Sequence, residues 1–176
     1  IIKYYNGMGS VINAFTENID IMPTVLDLLD LDIPLQCDGH SLKTFLCGKN
    51  PHEWHQEVHW ELDFRDVVNR KSEKELSLNF HDWSFAVIRD NHYKYIHFTA
   101  LPPLLFDIEN DPYELKNLST DTTYTKTVAE YAKKMISWRM SHAERTLTGI
   151  LFDYERSTWS KIIILLLFKL FKLLVH

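Results

Sequence analysis

Three histidines stand close together in HEWHQEVHWELDFRD, residues 52–66, among five acidic side chains. His52, His55 and His59 fall at i, i+3 and i+7. On a helix that spacing would gather them on one face and offer imidazole nitrogens to a metal. Zinc needs three or four nitrogen, sulfur or oxygen ligands converging at about 2 Å. HEWH, however, is one residue short of the His-Glu-x-x-His pattern of zinc peptidases. From Glu57 onward Val58, Trp60, Leu62 and Phe64 alternate with His59, Glu61, Asp63 and Arg65. That period of two predicts a half-buried strand, not a helix. On a strand only His59, Glu61 and Asp63 share a face, while His52 and His55 precede it in a loop beside Pro51. These residues therefore read as a polar strand face, solvated or paired across strands. No residue is assigned as catalytic, cofactor-binding or metal-ligating.

Other chemistries have less to stand on. GMGS at 7–10 is not a Gly-x-Ser-x-Gly elbow, and the five glycines form no phosphate-cradling loop. Lys94 and His97 are candidates to meet an anion, against the ordinary solvent-facing role of basic strand residues. Arg139, His142, Glu144 and Arg145 group in SWRMSHAERTLTG. They are a surface salt-bridge network or, alternatively, a subunit contact. Cys37 and Cys47 could form one bridge, but two cysteines make no disulfide framework. A reducing, cytoplasmic compartment is the expectation.

The elements that must position these residues are legible from periodicity and punctuation. VINAF, residues 11–15, has the composition of a short strand. A helix over about 20–31 follows from the stripe Ile21, Met22, Val25, Leu26, Leu28 and Leu29, with Asp20 as its N-cap and Pro23 in its first turn. A turn at Asp38-Gly39 precedes a short helix over about 41–47, stopped by Gly48. Residues 69–82 are polar and mixed in charge, a loop. Trp83–Arg89 and Tyr93–Phe98 make a hairpin around Asp90-Asn91, and LPPLLFDI adds a further strand. A long helix runs from about Tyr124 to Arg145, with Val128, Tyr131, Met135, Trp138 and His142 as its packing stripe. The fold class is α+β: a small antiparallel sheet of three to four strands packed against a long C-terminal helix.

The 176 residues, 45% hydrophobic and 24% charged, are enough for a core. A net charge of -5 argues against a nucleic-acid partner. The chain starts at Ile1 without a signal-peptide pattern, as a piece cut from something longer would. It finishes with SKIIILLLFKLFKLLVH. The apolar run 162–175 is shorter than the ~20 residues that span a bilayer, and Lys169 and Lys172 interrupt it. A buried or interfacial helix is expected there, with membrane contact as the lesser alternative.

Several stretches together resemble one family. FTENIDIMPTVLDLLDLDIPLQCDGHSL resembles the sulfatase segment in which an Asp-x-x-Pro-Thr helix precedes an Asp-Gly-x-Ser-Leu turn. AVIRDNHYKYIHF resembles the strand pair carrying Arg-x-x-x-Tyr-Lys-Tyr, and LLFDIENDPYELKNLS the Leu-Phe-Asp-Leu-x-x-Asp-Pro stretch. HWELDFRDV, HFTALPPLLFD and SWRMSHAERTLTG narrow the likeness to the phosphonate monoester hydrolase branch of the sulfatase and alkaline phosphatase superfamily. The likeness covers roughly 9–150.

It implies the C-terminal portion of a larger α/β fold, with 1–50 the end of that domain, 51–150 a C-terminal subdomain and 151–176 an atypical apolar tail. It also implies a parent hydrolase of sulfate, phosphonate or phosphate esters, homo-oligomeric. Such a parent uses a formylglycine nucleophile, made from Cys-x-Pro-x-Arg, and a divalent metal, calcium or manganese. Neither Cys37, in CDGHS, nor Cys47, in CGKNP, begins that motif. This segment is therefore expected to bind no cofactor, to support a site in a missing N-terminal catalytic part, and to be inactive alone. The alternative from another class is a non-enzymatic binding or membrane-associated module.

Overall fold

Proline has no backbone N–H, so it suits a helix only in the first turn, where no intrahelical bond is lost. In the computed structural model, which describes residues 9, 11–65, 75 and 77–143, helix α1 accordingly runs Ile21–Leu28 behind a 3₁₀ turn at Asn18–Asp20. It ends short of the expected residue 31 because Asp30 turns left-handed, at φ 54°. The Leu31 amide then reaches back to the Leu26 carbonyl at 2.9 Å, and the Asp30 amide to Asp27 at 3.2 Å. This paired closure satisfies the last carbonyls. Helix α2, Lys43–Leu46, closes in the same way through Gly48 at φ 74°, as the sequence predicts. The Lys49 amide bonds the Thr44 carbonyl and the Gly48 amide bonds Phe45.

Four strands follow: β1 Val58–Asp63, β2 Ser84–Arg89, β3 Tyr93–Phe98 and β4 Leu104–Asp107. They form one antiparallel meander in chain order. Helix α3, Thr125–Ser141, enters through a 3₁₀ turn at Thr122–Tyr124, where Asp121 accepts the Thr123 amide. It ends at Ser141, four residues before the expected Arg145. The core lies between α3 and one face of the sheet: Ala86, Ile88, Tyr95 and Leu105 pack with Leu118, Tyr131 and Met135. The expected α+β class and its helix-on-meander arrangement hold, in a single compact unit that extends to His142.

Two expectations are corrected. Residues 11–15 are not a strand: the segment bends at Ala14 and pairs with no strand among the described residues. The second correction concerns which side of β1 is covered. Trp60 and Leu62 are 40% and 51% exposed, while the polar side faces α3. Register explains it. His59 pairs with Ile88 and Glu61 with Ala86, so both share the face that the apolar residues of β2, β3 and β4 have given to the helix. Trp60, opposite Val87, is left on the other face.

The tail after residue 150, Glu144, Arg145 and most of 69–76 lie outside the described residues. No helix among the described residues is long and apolar enough to cross a membrane.

Candidate functional site

Asp20 is fully buried. A carboxylate withdrawn from water costs several kcal/mol unless its lone pairs are met. They are met from three segments. Oδ2 accepts the Glu17 amide at 2.8 Å, Oδ1 accepts the His40 amide at 2.8 Å, and His55 Nε2 stands 3.1 Å from Oδ1. Asp20 therefore occupies the N-cap position of α1 without capping it through its side chain, contrary to the usual use of that position. Its carbonyl instead accepts Thr24 Oγ1 at 2.5 Å, and that hydroxyl accepts the Leu42 amide at 2.8 Å. The start of α1 is thus laced to the segment that leads into α2.

Close packing holds the lacing in place. A Cβ at Gly39 would fall 2.2 Å from the Ile19 carbonyl oxygen, so only glycine lets the 38–40 turn lie against the Asp20 backbone. Trp54 donates its indole N–H to the Phe15 carbonyl at 2.6 Å and meets Phe45 edge-on at 4.9 Å. It also meets His55 edge-on at 4.8 Å, and the His40 and His55 rings lie 4.9 Å apart at 85°. One ligand atom each of Asp20, His40 and His55 lies within 4.8 Å of the other two. This is the only such trio of histidine, cysteine or acidic side chains among the described residues.

The three histidines of the 52–66 stretch do not converge. His52 is exposed in the loop, His55 turns to Asp20, and His59 turns the other way to α3. The His59 ring stacks on Trp138, 4.5 Å apart and nearly parallel at 6°. Its amide donates to Glu17 Oε1 at 2.6 Å, and its Nε2 lies 3.4 Å from Glu57 Oε1. Burial holds its pKa below the ordinary imidazole value, outweighing the opposing pull of Glu57 and Glu17.

The remaining candidates separate as well. Lys94 and His97 differ by three positions on one strand and so point to opposite faces. Lys94 is paired with Glu114 at 2.6 Å, and His97 Nδ1 stands 3.1 Å from the Tyr95 hydroxyl. Arg139 reaches β1 at Glu61, 2.8 Å, while His142 lies against the Trp138 carbonyl at 2.9 Å. Both contacts are made within the chain at its surface, as the salt-bridge reading expects. A cleft of ≈ 210 Å³ beside that ion pair is lined by Glu61, Asp63, Ser84, His97 and Thr99, with no nucleophile set against a base. Cys37 and Cys47 are free thiols and neither joins the Asp20 cluster.

Sequence reasoning missed the Asp20 cluster because its members are 20 and 35 positions apart in pairs. The signal that could have found it is the neighbourhood of small and special residues, Pro23, Thr24 and Gly39, which brings two turns together.

Comparisons with known proteins agree on what surrounds this geometry. The family model described as N-sulphoglucosamine sulphohydrolase, C-terminal, matches residues 1–141. The multifunctional alkaline phosphatase superfamily protein PehA of Trinickia caryophylli is 48% identical over 140 residues, which are 80% of this chain and 27% of that protein. Phosphonate monoester hydrolase of Agrobacterium radiobacter superposes with a TM-score of 0.70 at 40% identity, covering 78% of this chain and 27% of the other. The phosphonate monoester hydrolase SpPMH from Silicibacter pomeroyi gives 0.75 at 31% identity, covering 86% and 31%. The chain thus spans between a quarter and a third of each of these proteins. With its order of elements, its four-stranded sheet and a family match through residue 141 all in agreement, the chain belongs to the N-sulphoglucosamine sulphohydrolase C-terminal family, within the sulfatase and alkaline phosphatase superfamily.

Proposed function

We propose that this chain is the C-terminal part of a hydrolase of sulfate, phosphonate or phosphate esters, and that it supports a catalytic centre carried by the rest of that protein. The observation that carries this reading is the continuous 48% identity to PehA over 140 residues, a span that is 27% of that protein. The apolar side of α1 supports it too. Ile21, Met22, Val25 and Leu29 lie on one side of the helix and are each about half or more exposed, at 51%, 59%, 49% and 64%. A surface of that kind is ordinarily covered by further protein.

The formylglycine of such a parent has no matching motif in this sequence. Neither free cysteine stands in the required motif, and neither joins the Asp20 cluster. Turnover therefore belongs to the part of the parent outside this chain, and the chain alone is inactive.

Assays of an aryl phosphonate, phosphate and sulfate ester with Mn²⁺ or Ca²⁺ test this. They should be run on the 176-residue chain and on the same chain extended by the coding sequence upstream of Ile1. The chain alone should give nothing above buffer, and the longer protein should hydrolyse at least one ester. Metal-dependent turnover by the chain alone would overturn the supporting role. A longer protein that hydrolyses none of them would overturn the hydrolase reading.

A further inference from the structure

The 3.1 Å between Asp20 Oδ1 and His55 Nε2 is what a hydrogen bond needs. It is also close to what a metal needs. Around a tetrahedral ion with ligands at about 2.0–2.1 Å, neighbouring ligand atoms are about 3.3 Å apart. A single imidazole is enough to meet a buried carboxylate, yet here a second one, His40, brings a ligand atom within 4.8 Å of both. The His40 residue is exposed, so closing that remaining distance by a side-chain rotation displaces no core packing.

The surroundings are those of a held ligand set. The Asp20 oxygens are aimed by the Glu17 and His40 amides, the kind of outer support that orients a ligating carboxylate. Trp54 packs edge-on against both imidazoles, with centroids 6.0 Å from His40 and 4.8 Å from His55. Gly39 fixes the turn that carries His40 against the Asp20 backbone. The three ligands come from three separate segments, held together by the bonds of the His40 amide and the His55 ring to Asp20 Oδ1.

We infer that Asp20, His40 and His55 form a binding site for a borderline divalent cation of the zinc class, which ties the start of α1, the 38–40 turn and the 52–55 loop into one unit. Two imidazoles with one carboxylate favour such an ion over calcium or magnesium, which take oxygen ligands. Three protein ligands leave a fourth position for water. The site stands apart from ester hydrolysis and does not depend on that reading.

Zinc titration and thermal melts of the full 176-residue chain provide the test, with His40→Gln, His55→Gln and His52→Gln compared. Glutamine at 55 keeps a donor for Asp20 and gives up the imidazole, so it separates a structural clamp from a ligand. One zinc should bind per chain and raise the melting temperature in the wild type and in His52→Gln. His40→Gln and His55→Gln should each lose at least about tenfold in zinc affinity together with the zinc-dependent shift. Absence of binding, or affinity unchanged in both variants, would overturn the site. Cobalt substitution of the unmutated chain is independent of any variant's folding. A tetrahedral ligand-field spectrum displaced by zinc supports the site, and a purely octahedral one rejects it.

Discussion

Asp20 and His59 are both withdrawn from water, and the fold treats them in opposite ways. Asp20 receives a donor for each oxygen and is held as an acceptor. His59 is stacked under Trp138, and burial pushes its pKa down against the carboxylates of Glu57 and Glu17. A base whose folded pKa lies below its unfolded value of about 6.5 binds fewer protons folded than unfolded in between. Its stabilising contribution is therefore complete above pH ~6.5 and is lost as pH falls through the folded pKa. His59→Gln should remove that dependence: urea midpoints of wild type and variant should keep a constant offset above pH ~7 and draw together as pH drops below ~6. An offset that widens toward acid would refute a neutral buried His59. At this scale the sequence was least informative. The alternation around His59 was plain, but whether its face met water or a helix depended on pairing with Ile88, which no local pattern encodes.

Among the elements, the β2–β3 hairpin and α3 are joined through one turn residue. Asp90 Oδ1 accepts the His92 and Tyr93 amides at 2.9 Å each, while Oδ2 accepts the Tyr131 hydroxyl and lies 3.4 Å from Lys134 Nζ. Burial alone would raise the Asp90 pKa. The Tyr131 bond and the two amides outweigh it, so the carboxyl titrates below its ordinary range. Tyr131→Phe keeps the ring in the core and removes one charge-assisted bond, so it should cost about 1–3 kcal/mol near neutrality. A depressed carboxyl stabilises only while ionised, so that cost should shrink as pH falls through the Asp90 pKa, and chemical denaturation at neutral and acid pH will show whether it does. A cost equal at both pH values would place the tyrosine's role in packing alone. Ile88→Ala, at a fully buried position under α3, should cost about 2–5 kcal/mol at either pH. The hairpin and the stop at Gly48 were legible because turn chemistry and period-two runs are local signals. The end of α1 was not, since closure through a left-handed Asp30 lacks the usual glycine.

For the whole molecule, the uncovered apolar side of α1 and the outer face of the sheet pose the same question. Core packing under α3 uses only one face of the sheet. On the other, Val87 is buried while Trp60 and Leu62 remain exposed. Lys94 covers part of that face, its ammonium 5.8 Å from the Trp60 ring and paired with Glu114. Among the described residues the α1 side has no comparable cover, for Met22 and Leu29 are 59% and 64% exposed. If the remainder of a parent hydrolase lies over α1, those side chains are surface in the isolated chain and core in the longer protein. Met22→Ala and Leu29→Ala should then change the isolated chain's unfolding free energy by no more than about 0.5 kcal/mol, as surface substitutions do. In the longer protein each should cost about 2–5 kcal/mol, as truncation in a core does. The same variants should reduce self-association of the isolated chain in sedimentation velocity, since the exposed patch is what two copies would share. Equal costs in both proteins would mean that α1 faces solvent in the parent, and another surface would then have to join this unit to the catalytic part.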